Sequence, residues 1–187
     1  MMVTLGVAGH RFLSEIDKLT EGIDQALDQI ERVFGETPLQ VISPLAEGAD
    51  RLTVQRIFKR PGAQLIVSLP LPQADYIADF KSLESKKEFK MLLAQAEQVF
   101  TLPPAPTREE AYAALGTYMM EHCDVFLVVW DGKEAQGVGG TGEIASAARQ
   151  IGMPLAWVMA GNRKPGTKEP TTLGEDQGKV NYENFPI

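Results

Sequence analysis

Short apolar runs that alternate with segments of helical periodicity constrain this chain more than any other feature of its sequence. Six runs of four to six residues predict buried strands, and their apolar residues are consecutive, as is typical of strands covered on both faces. The runs are Val3–Ala8, Leu39–Ile42, Gln64–Leu69, Val99–Leu102, Val125–Trp130 and Leu155–Met159.

Apolar residues at helical spacing predict helices between these strands. Ser14 is the expected N-cap of the first helix and Gly35 its expected end, while Thr107 and Glu110 have the spacing of a capping box. The other expected helices are Glu47–Arg60, Ser82–Gln98, Thr107–His122 and Thr141–Gln150. The alternation predicts an α/β fold, namely a Rossmann-like, doubly wound, mostly parallel sheet with helices on both faces.

The length of 187 residues fits one domain. We expect residues 1–160 to form a single Rossmann-like domain. The segment 161–187 is polar and rich in Gly, Pro and Lys, which predicts a C-terminal tail or flap. A disordered tail, a flap over the site and an arm on a partner subunit are all compatible with this composition, and disorder is the commonest state of a terminus.

The net charge, the apolar runs and the few Cys and His residues limit which partners, locations and metal sites are expected. The formal net charge of −7 and the pI of about 4.9 argue against a nucleic-acid partner and against an anionic membrane surface. The longest apolar run, Val125–Trp130, is too short to cross a bilayer, and no secretion signal precedes it, so a cytoplasmic location is expected. Cys123, His10 and His122 are too few for a disulfide, a Cys-rich metal site or a histidine zinc site.

Unusual loops follow three of the predicted strands, at the carboxyl edge where open α/β sheets bind ligands. The first loop is Gly9-His10-Arg11. Gly9 allows close approach of a ligand to the backbone, and Arg11 can form a forked contact with a phosphate. A tight strand exit with a solvated arginine is the alternative, and the triplet alone favours that alternative.

The second loop runs from Ser43 to Arg51 and leads into a helix. Its Gly-Ala pair leaves backbone N–H groups uncovered at the helix start, where the helix dipole favours an anion. A plain capping role for Asp50 and a surface position for Arg51 are equally supported. The candidate binding residues in this loop are Ser43, Glu47, Gly48, Ala49, Asp50 and Arg51.

The third loop, 137–143, lies between the strongest strand and a helix. Its glycines, which include Gly139 and Gly140, predict a phosphate cradle at the helix start. The loop matches neither the dinucleotide fingerprint nor the P-loop. Thr141 is a candidate cap or ligand, and Glu143 a candidate contact to a ribose. A flexible loop with an N-cap is the alternative, but four glycines in six residues carry an entropic cost that favours binding.

Three such loops at one edge of a sheet predict a pocket. Asp131, at the end of the strongest strand, is expected to face the same crevice, and a plain Asp-Gly turn is the alternative. No cluster of residues requires a metal ion or another cofactor. Binding of a Mg²⁺ ion together with a ligand phosphate is kept as an alternative.

Taken together, these loops resemble the SLOG superfamily. This Rossmann-like group includes the LOG cytokinin-activating phosphoribohydrolases and the DNA-processing protein A fold. Gly9-His10-Arg11 resembles the first-strand loop of bacterial members, and Ser43–Arg51 resembles their second-strand motif. Residues 139–143 are similar to the Gly-Gly-x-Gly-Thr-x-x-Glu element of LOG proteins, although this element is shorter here. The resemblance covers about residues 2 to 160.

The resemblance implies a site for a phosphorylated nucleoside or a nucleotide derived from NAD or ADP-ribose, held by a sensor or binding module. The alternative is a LOG-like nucleoside 5′-monophosphate phosphoribohydrolase, in which Glu143 assists N-glycosidic cleavage and Arg11 or Arg51 holds the phosphate. Family members commonly self-associate. A homodimer is therefore expected, with the Met- and Tyr-bearing helix Thr107–His122 as a candidate contact.

Overall fold

The computed structural model describes residues 2–35, 38–135 and 140–186. Within this part of the chain, seven strands form one sheet in the order β4-β3-β2-β1-β5-β6-β7. Neighbouring strands are parallel, except that β7 is antiparallel to β6. The strands are β1 (Val3–Gly9), β2 (Leu39–Ser43), β3 (Gln64–Leu69), β4 (Gln98–Thr101), β5 (Val125–Trp130), β6 (Leu155–Met159) and β7 (Val180–Glu183).

Helices connect the parallel strands. They are α1 (Ile16–Phe34), α2 (Ala49–Ile57), α3 (Gln73–Ala78), α4 (Leu83–Leu93), α5 (Arg108–His122) and α6 (Thr141–Gln150), and a 3₁₀ turn lies at Gly174–Asp176. In the part of the chain that the structure describes, no helix has the length and apolar character needed to span a membrane.

Two hydrophobic cores lie on opposite faces of the sheet. Residues of α1, α2 and α4 pack on one face, and residues of α5 and α6 pack on the other. Strand β5 serves both cores, because Val125 and Leu127 point to the first and Phe126 and Val128 to the second. This layering explains the consecutive apolar residues of the strands and confirms the Rossmann-like α/β fold.

Some helices begin differently from the sequence prediction, because contacts with other parts of the backbone replace the expected local cap. Ser14 does not cap α1, since its hydroxyl donates to the carbonyl of Thr171, and Glu15 occupies the cap position with φ 50°. Thr107 caps α5 as expected, accepting from the amide of Glu110 at 3.1 Å. Helix α6 is capped by Gly140, so Thr141 is its first residue.

Part of the segment after residue 160 is attached to the sheet. Strand β7 pairs with β6, and the Arg149 guanidinium on α6 holds Glu183 of β7 through two hydrogen bonds of 2.8 Å. The segment before β7 is fixed by the buried side chain of Gln177. Its Oε1 accepts from the amides of Gly161 and Leu173, and its Nε2 donates to the carbonyl of Ser14. Side-chain amides and turns thus hold a segment for which the sequence left a disordered tail, a flap and an arm as alternatives.

Candidate functional site

The strand order reverses between β1 and β5. From β1 the chain proceeds outward through β2, β3 and β4, and it then returns to β5 on the other side of β1. Connections that diverge in this way leave a crevice at the carboxyl ends of the two strands. A cavity of about 100 Å³, here called the edge crevice, lies there. Its polar lining residues are Arg11, Asp50, Tyr76, Tyr112 and Thr141.

Glycine residues allow the backbone segments that follow β1 and β2 to pack in close contact. Gly48 has φ +83°, and a Cβ on it would lie 2.6 Å from the carbonyl oxygen of His10, with the carbonyl oxygen of Arg11 closer still. A Cβ on Gly9 would collide with Ala49. The amide of Ala49 donates to the carbonyl of His10 at 3.0 Å. This N–H group, expected from the sequence to be open to an anion, is therefore already paired.

His10 and Asp131 brace the exits of β1 and β5. The amide of Asp131 donates to Nε2 of His10 at 3.1 Å, and the Asp131 carboxylate lies 3.3 Å from the same atom. Burial lowers the pKa of His10, against the opposing effect of Asp131. A neutral imidazole fits the observed acceptor role of Nε2. Neither side chain lines the edge crevice, so both position the loops around it.

Asp50 is a buried carboxyl group at the start of α2. The hydroxyl of Ser43 donates to it at 3.3 Å, and the residue is only 4 % exposed. Burial raises the pKa of Asp50 to about 7, although hydrogen bonds from Ala46 and Ser43 and the charges of Arg11 and Arg51 act in the opposite direction. At neutral pH this carboxyl group can therefore donate or accept a proton.

Tyr76 brings an unpaired hydroxyl to the same crevice. The residue is 1 % exposed, and its hydroxyl has no hydrogen-bond partner among the described residues. Burial, and then the nearby charge of Asp50, raise the pKa of Tyr76 well above its ordinary value. The ring packs edge-on against Phe80 and Phe89. Tyr76 is thus a neutral hydrogen-bond donor without a partner in the described part of the chain.

Arg11 is the exposed cation at the mouth of the crevice. Its guanidinium interacts with the hydroxyl of Tyr112, and it lies in no ion pair with the described residues. Its charge also acts on Asp50 and Tyr76. An unpaired guanidinium beside buried hydrogen-bonding groups is an arrangement suited to an anion.

Arg51 occupies a structural position that the sequence did not reveal. It is 2 % exposed, with its Nε donating to the carbonyl of Leu45 at 3.0 Å and its Nη1 to the carboxylate of Glu88 at 2.9 Å. Its guanidinium carbon lies 4.5 Å from the centre of the Phe80 ring. These contacts tie the loop after β2 to α4, so Arg51 is buried and does not take the surface position that was one of the two alternatives from the sequence.

The third loop is only partly within the described residues, and Gly139 lies outside them. Gly140 caps α6, Thr141 lines the edge crevice, and Glu143 lies in the first turn of the helix. A Cβ on Gly142 would lie 2.7 Å from the backbone of Lys133 and Ala135, so this glycine lets the helix start pack against the preceding loop.

A second cavity of about 520 Å³, here called the outer cleft, lies beside the edge crevice. The two cavities share Arg11. The other lining residues of the outer cleft are Phe12, Glu47, Arg51, Glu84, Ser85 and Glu88. Sequence reasoning missed the contributions of α4 and of Phe12, because they reach the site through packing between elements rather than through a local motif.

We expect the stability of the protein to decrease between about pH 4 and pH 7 because of Asp50. The folded state, with the pKa of Asp50 near 7, binds a proton across this window, whereas the unfolded chain, with a value near 3.8, releases it. The Asp50 carboxylate therefore destabilises the fold above pH 7, by at most about 4 kcal/mol. In urea unfolding, Asp50→Asn should be more stable than the parent at pH 8, and this advantage should be smaller at pH 5.

Asp75→Asn, at an exposed carboxylate in the first turn of α3, is the matched control and should show no such pH-dependent difference. An equal effect of Asp50→Asn at pH 5 and pH 8 would contradict the assignment.

Comparisons with known proteins give a likeness of fold. No family model matches the chain, and no curated protein matches its sequence. The structure is similar to DNA processing protein A from Streptococcus pneumoniae, with a TM-score of 0.52, 15 % identity and coverage of 82 % of this chain and 49 % of that chain. The chain thus spans about half the length of the pneumococcal protein.

It is also similar to DNA processing protein A from Helicobacter pylori, with a TM-score of 0.55 and 17 % identity, over 94 % of this chain and 69 % of that chain. These likenesses confirm the expected fold, which is that of the Rossmann-like group containing DNA-processing protein A.

The inference from net charge against a nucleic-acid partner is wrong. The Helicobacter structure is described by its single-stranded DNA binding mode, so a protein with this fold does bind nucleic acid. The net charge of a whole chain does not fix the potential at one edge of its sheet. Here Arg11 and Arg163, both at that edge, lie in no ion pair with the described residues.

The homodimer stays a prediction. Helix α5, the candidate contact, buries Ala111, Leu115, Gly116 and Met119 against its own sheet.

Proposed function

We propose that the protein binds a phosphorylated nucleoside with its phosphate in the edge crevice, as a sensor or binding module. The observation that carries this proposal is the convergence of Arg11, the buried carboxyl of Asp50 and the unpartnered hydroxyl of Tyr76 where the strand order reverses. Buried polar atoms without a partner are rare in folded proteins. A ligand oxygen accepting from Tyr76 would satisfy this one.

The chemistry of the crevice suits a phosphate group. Arg11 supplies charge-assisted hydrogen bonds, and Tyr76 supplies a neutral one. Asp50 adds a donor when it is protonated, which its raised pKa of about 7 allows near neutral pH. The N-terminus of the ten-residue helix α6, with Thr141 in the crevice, adds a favourable dipole.

Binding of single-stranded DNA is the second candidate function. The fold shared with the Helicobacter protein favours it, and so do the unpaired charges of Arg11 and Arg163. A strand held in this way would present its phosphates to the same edge of the sheet. Its affinity would decrease as salt concentration rises, because phosphate contacts release counterions.

We expect Arg11→Gln to weaken nucleotide binding by about 10- to 100-fold, the range for a hydrogen bond to a charged group. Arg32→Gln is the matched control, since Arg32 also lies in no ion pair with a described residue but sits on the last turn of α1. Titration calorimetry with nucleoside monophosphates, ADP-ribose, NAD and an oligodeoxynucleotide measures both variants. Native mass spectrometry on the same samples reports whether each ligand remains intact.

Intact mononucleotide bound by the parent and by Arg32→Gln, but weakly by Arg11→Gln, supports the proposal. Binding of the oligonucleotide alone, with a steep salt dependence, favours the second candidate instead. Appearance of free base and ribose phosphate would make the protein an N-glycosidase, and Glu143→Gln would then be the variant to assay. Absence of binding to every probe would contradict both candidates.

A further inference from the structure

The outer cleft is the larger cavity of the site, and the phosphate does not need it. Its volume of about 520 Å³ lies within the range of about 300–1,000 Å³ typical of small-molecule sites, whereas the edge crevice at about 100 Å³ holds only part of a nucleotide. Because the two cavities share Arg11, a ligand anchored by its phosphate in the crevice extends into the cleft.

One wall of the cleft is aromatic and basic. Phe12 lines it next to Arg11. The guanidinium carbon of Arg163, from the segment after β6, lies 5.1 Å from the centre of the Phe12 ring. A flat ring system can extend such a stack, since bases stack on aromatic rings and on guanidinium groups whatever their sequence.

Three carboxylates also line the cleft, and they differ in their hydrogen bonding. Glu88 receives hydrogen bonds from Arg51 at 2.9 Å and from Gln55 at 3.0 Å, and Glu47 receives one from the Ser85 hydroxyl. Glu84, exposed in the first turn of α4, forms no hydrogen bond or ion pair with any described residue. Within the described ranges these carboxylates do not form a group that could hold a metal ion. An ionised carboxylate only accepts, so a ligand group at Glu84 must be a donor.

A buried donor also lines the cleft. Arg51 lines the cleft, and its Nη2 has no hydrogen-bond partner among the described residues. A carboxylate accepts and a guanidinium donates, so these two lining groups match an exocyclic amino group, which donates, beside a ring nitrogen, which accepts.

We propose that the outer cleft takes the base of the bound nucleotide and selects bases that carry an exocyclic amino group, as adenine and cytosine do. This inference rests on the proposed nucleotide-binding function. The base stacks on Phe12, whose ring is also contacted by Arg163, and Glu84 accepts from the amino group of the base. Uracil and hypoxanthine place a carbonyl where the amino group would lie, and that carbonyl would face the carboxylate of Glu84.

The test compares adenosine and inosine monophosphates, which share the phosphate and differ in the amino group. We expect the parent to bind the adenine nucleotide about 10-fold more tightly by calorimetry, the lower bound for a hydrogen bond to a charged group. Glu84→Gln should bring the two affinities to within about 3-fold, because a glutamine amide both donates and accepts. Glu121→Gln, the same charge change at an exposed site on α5, should leave the ratio unaltered.

The outcomes separate the two proposals. Equal affinity of the parent for both nucleotides would overturn base selection while phosphate binding stands. A preference that survives Glu84→Gln would also overturn the assignment, provided circular dichroism shows the variant folded. Failure of both nucleotides to bind would remove the proposed function, and base selection with it.

Discussion

Replacing Gly48 with alanine should lower the free energy of unfolding by about 3–5 kcal/mol, combining backbone strain with steric overlap. Gly48 has φ +83° and ψ −118°, a combination that residues with a Cβ rarely adopt. The new methyl group would also lie 2.6 Å from the carbonyl oxygen of His10, which cannot move without breaking its hydrogen bond to Ala49.

Gly152→Ala separates these two causes. Gly152 also has positive φ, +67°, but a Cβ there would meet nothing within 4 Å. Its replacement should therefore cost only the backbone penalty of about 1–2 kcal/mol. Urea unfolding at pH 7 measures both variants. Equal losses for Gly48→Ala and Gly152→Ala would show that the exits of β1 and β2 are not tightly fitted.

Arg51→Met should destabilise the protein by about 3–5 kcal/mol, as expected when one partner of a buried polar network is removed. Methionine keeps an apolar stem but lacks the guanidinium, so the loss reports the hydrogen bonds together with the contacts of the guanidinium with the rings of Phe80 and Phe89. The variant leaves the buried carbonyl of Leu45 without its donor. Arg51→Lys should retain little of the stability that the arginine provides, because an ammonium group cannot reach Leu45, Ser85 and Glu88 in the same geometry.

Arg108→Met is the control for removal of an arginine. The side chain of Arg108 is 54 % exposed and pairs with Asp79 on the surface, so its replacement should change stability by less than about 1 kcal/mol. Thermal and urea unfolding of the two variants give the comparison. If Arg51→Met were as stable as Arg108→Met, the tie between the β2 loop and α4 would be energetically unimportant.

Strands were the most predictable part of this fold. Gln64–Leu69, Val125–Trp130 and Leu155–Met159 have the bounds that their apolar runs indicate. Such runs leave little freedom, because a strand covered by helices on both faces favours apolar side chains at most positions. Helix α5 also begins as its capping box predicts, since that signal depends only on residues three apart.

Elements whose stability comes from distant partners were not predictable. Strand β7 has no long apolar run and exists through its pairing with β6. Within the site, the position of Tyr76 after β3 was visible in the sequence, but its burial beside Asp50 was not. The role of Arg51 depends on Ser85 and Glu88, which lie more than 30 residues away and share no motif with it.

Gln177 also makes the loop between β1 and α1 depend on the timing of protein synthesis. Its amide supports Ser14 across a separation of 163 residues, and Ser14 follows Arg11 and Phe12 closely in that loop. A ribosome that adds roughly 5–20 residues per second delivers Gln177 on the order of ten seconds after Ser14. Over that interval the nascent chain can pair its early parallel strands while the loop still lacks this support. The loop between β1 and α1 therefore gains this support only once translation has passed Gln177.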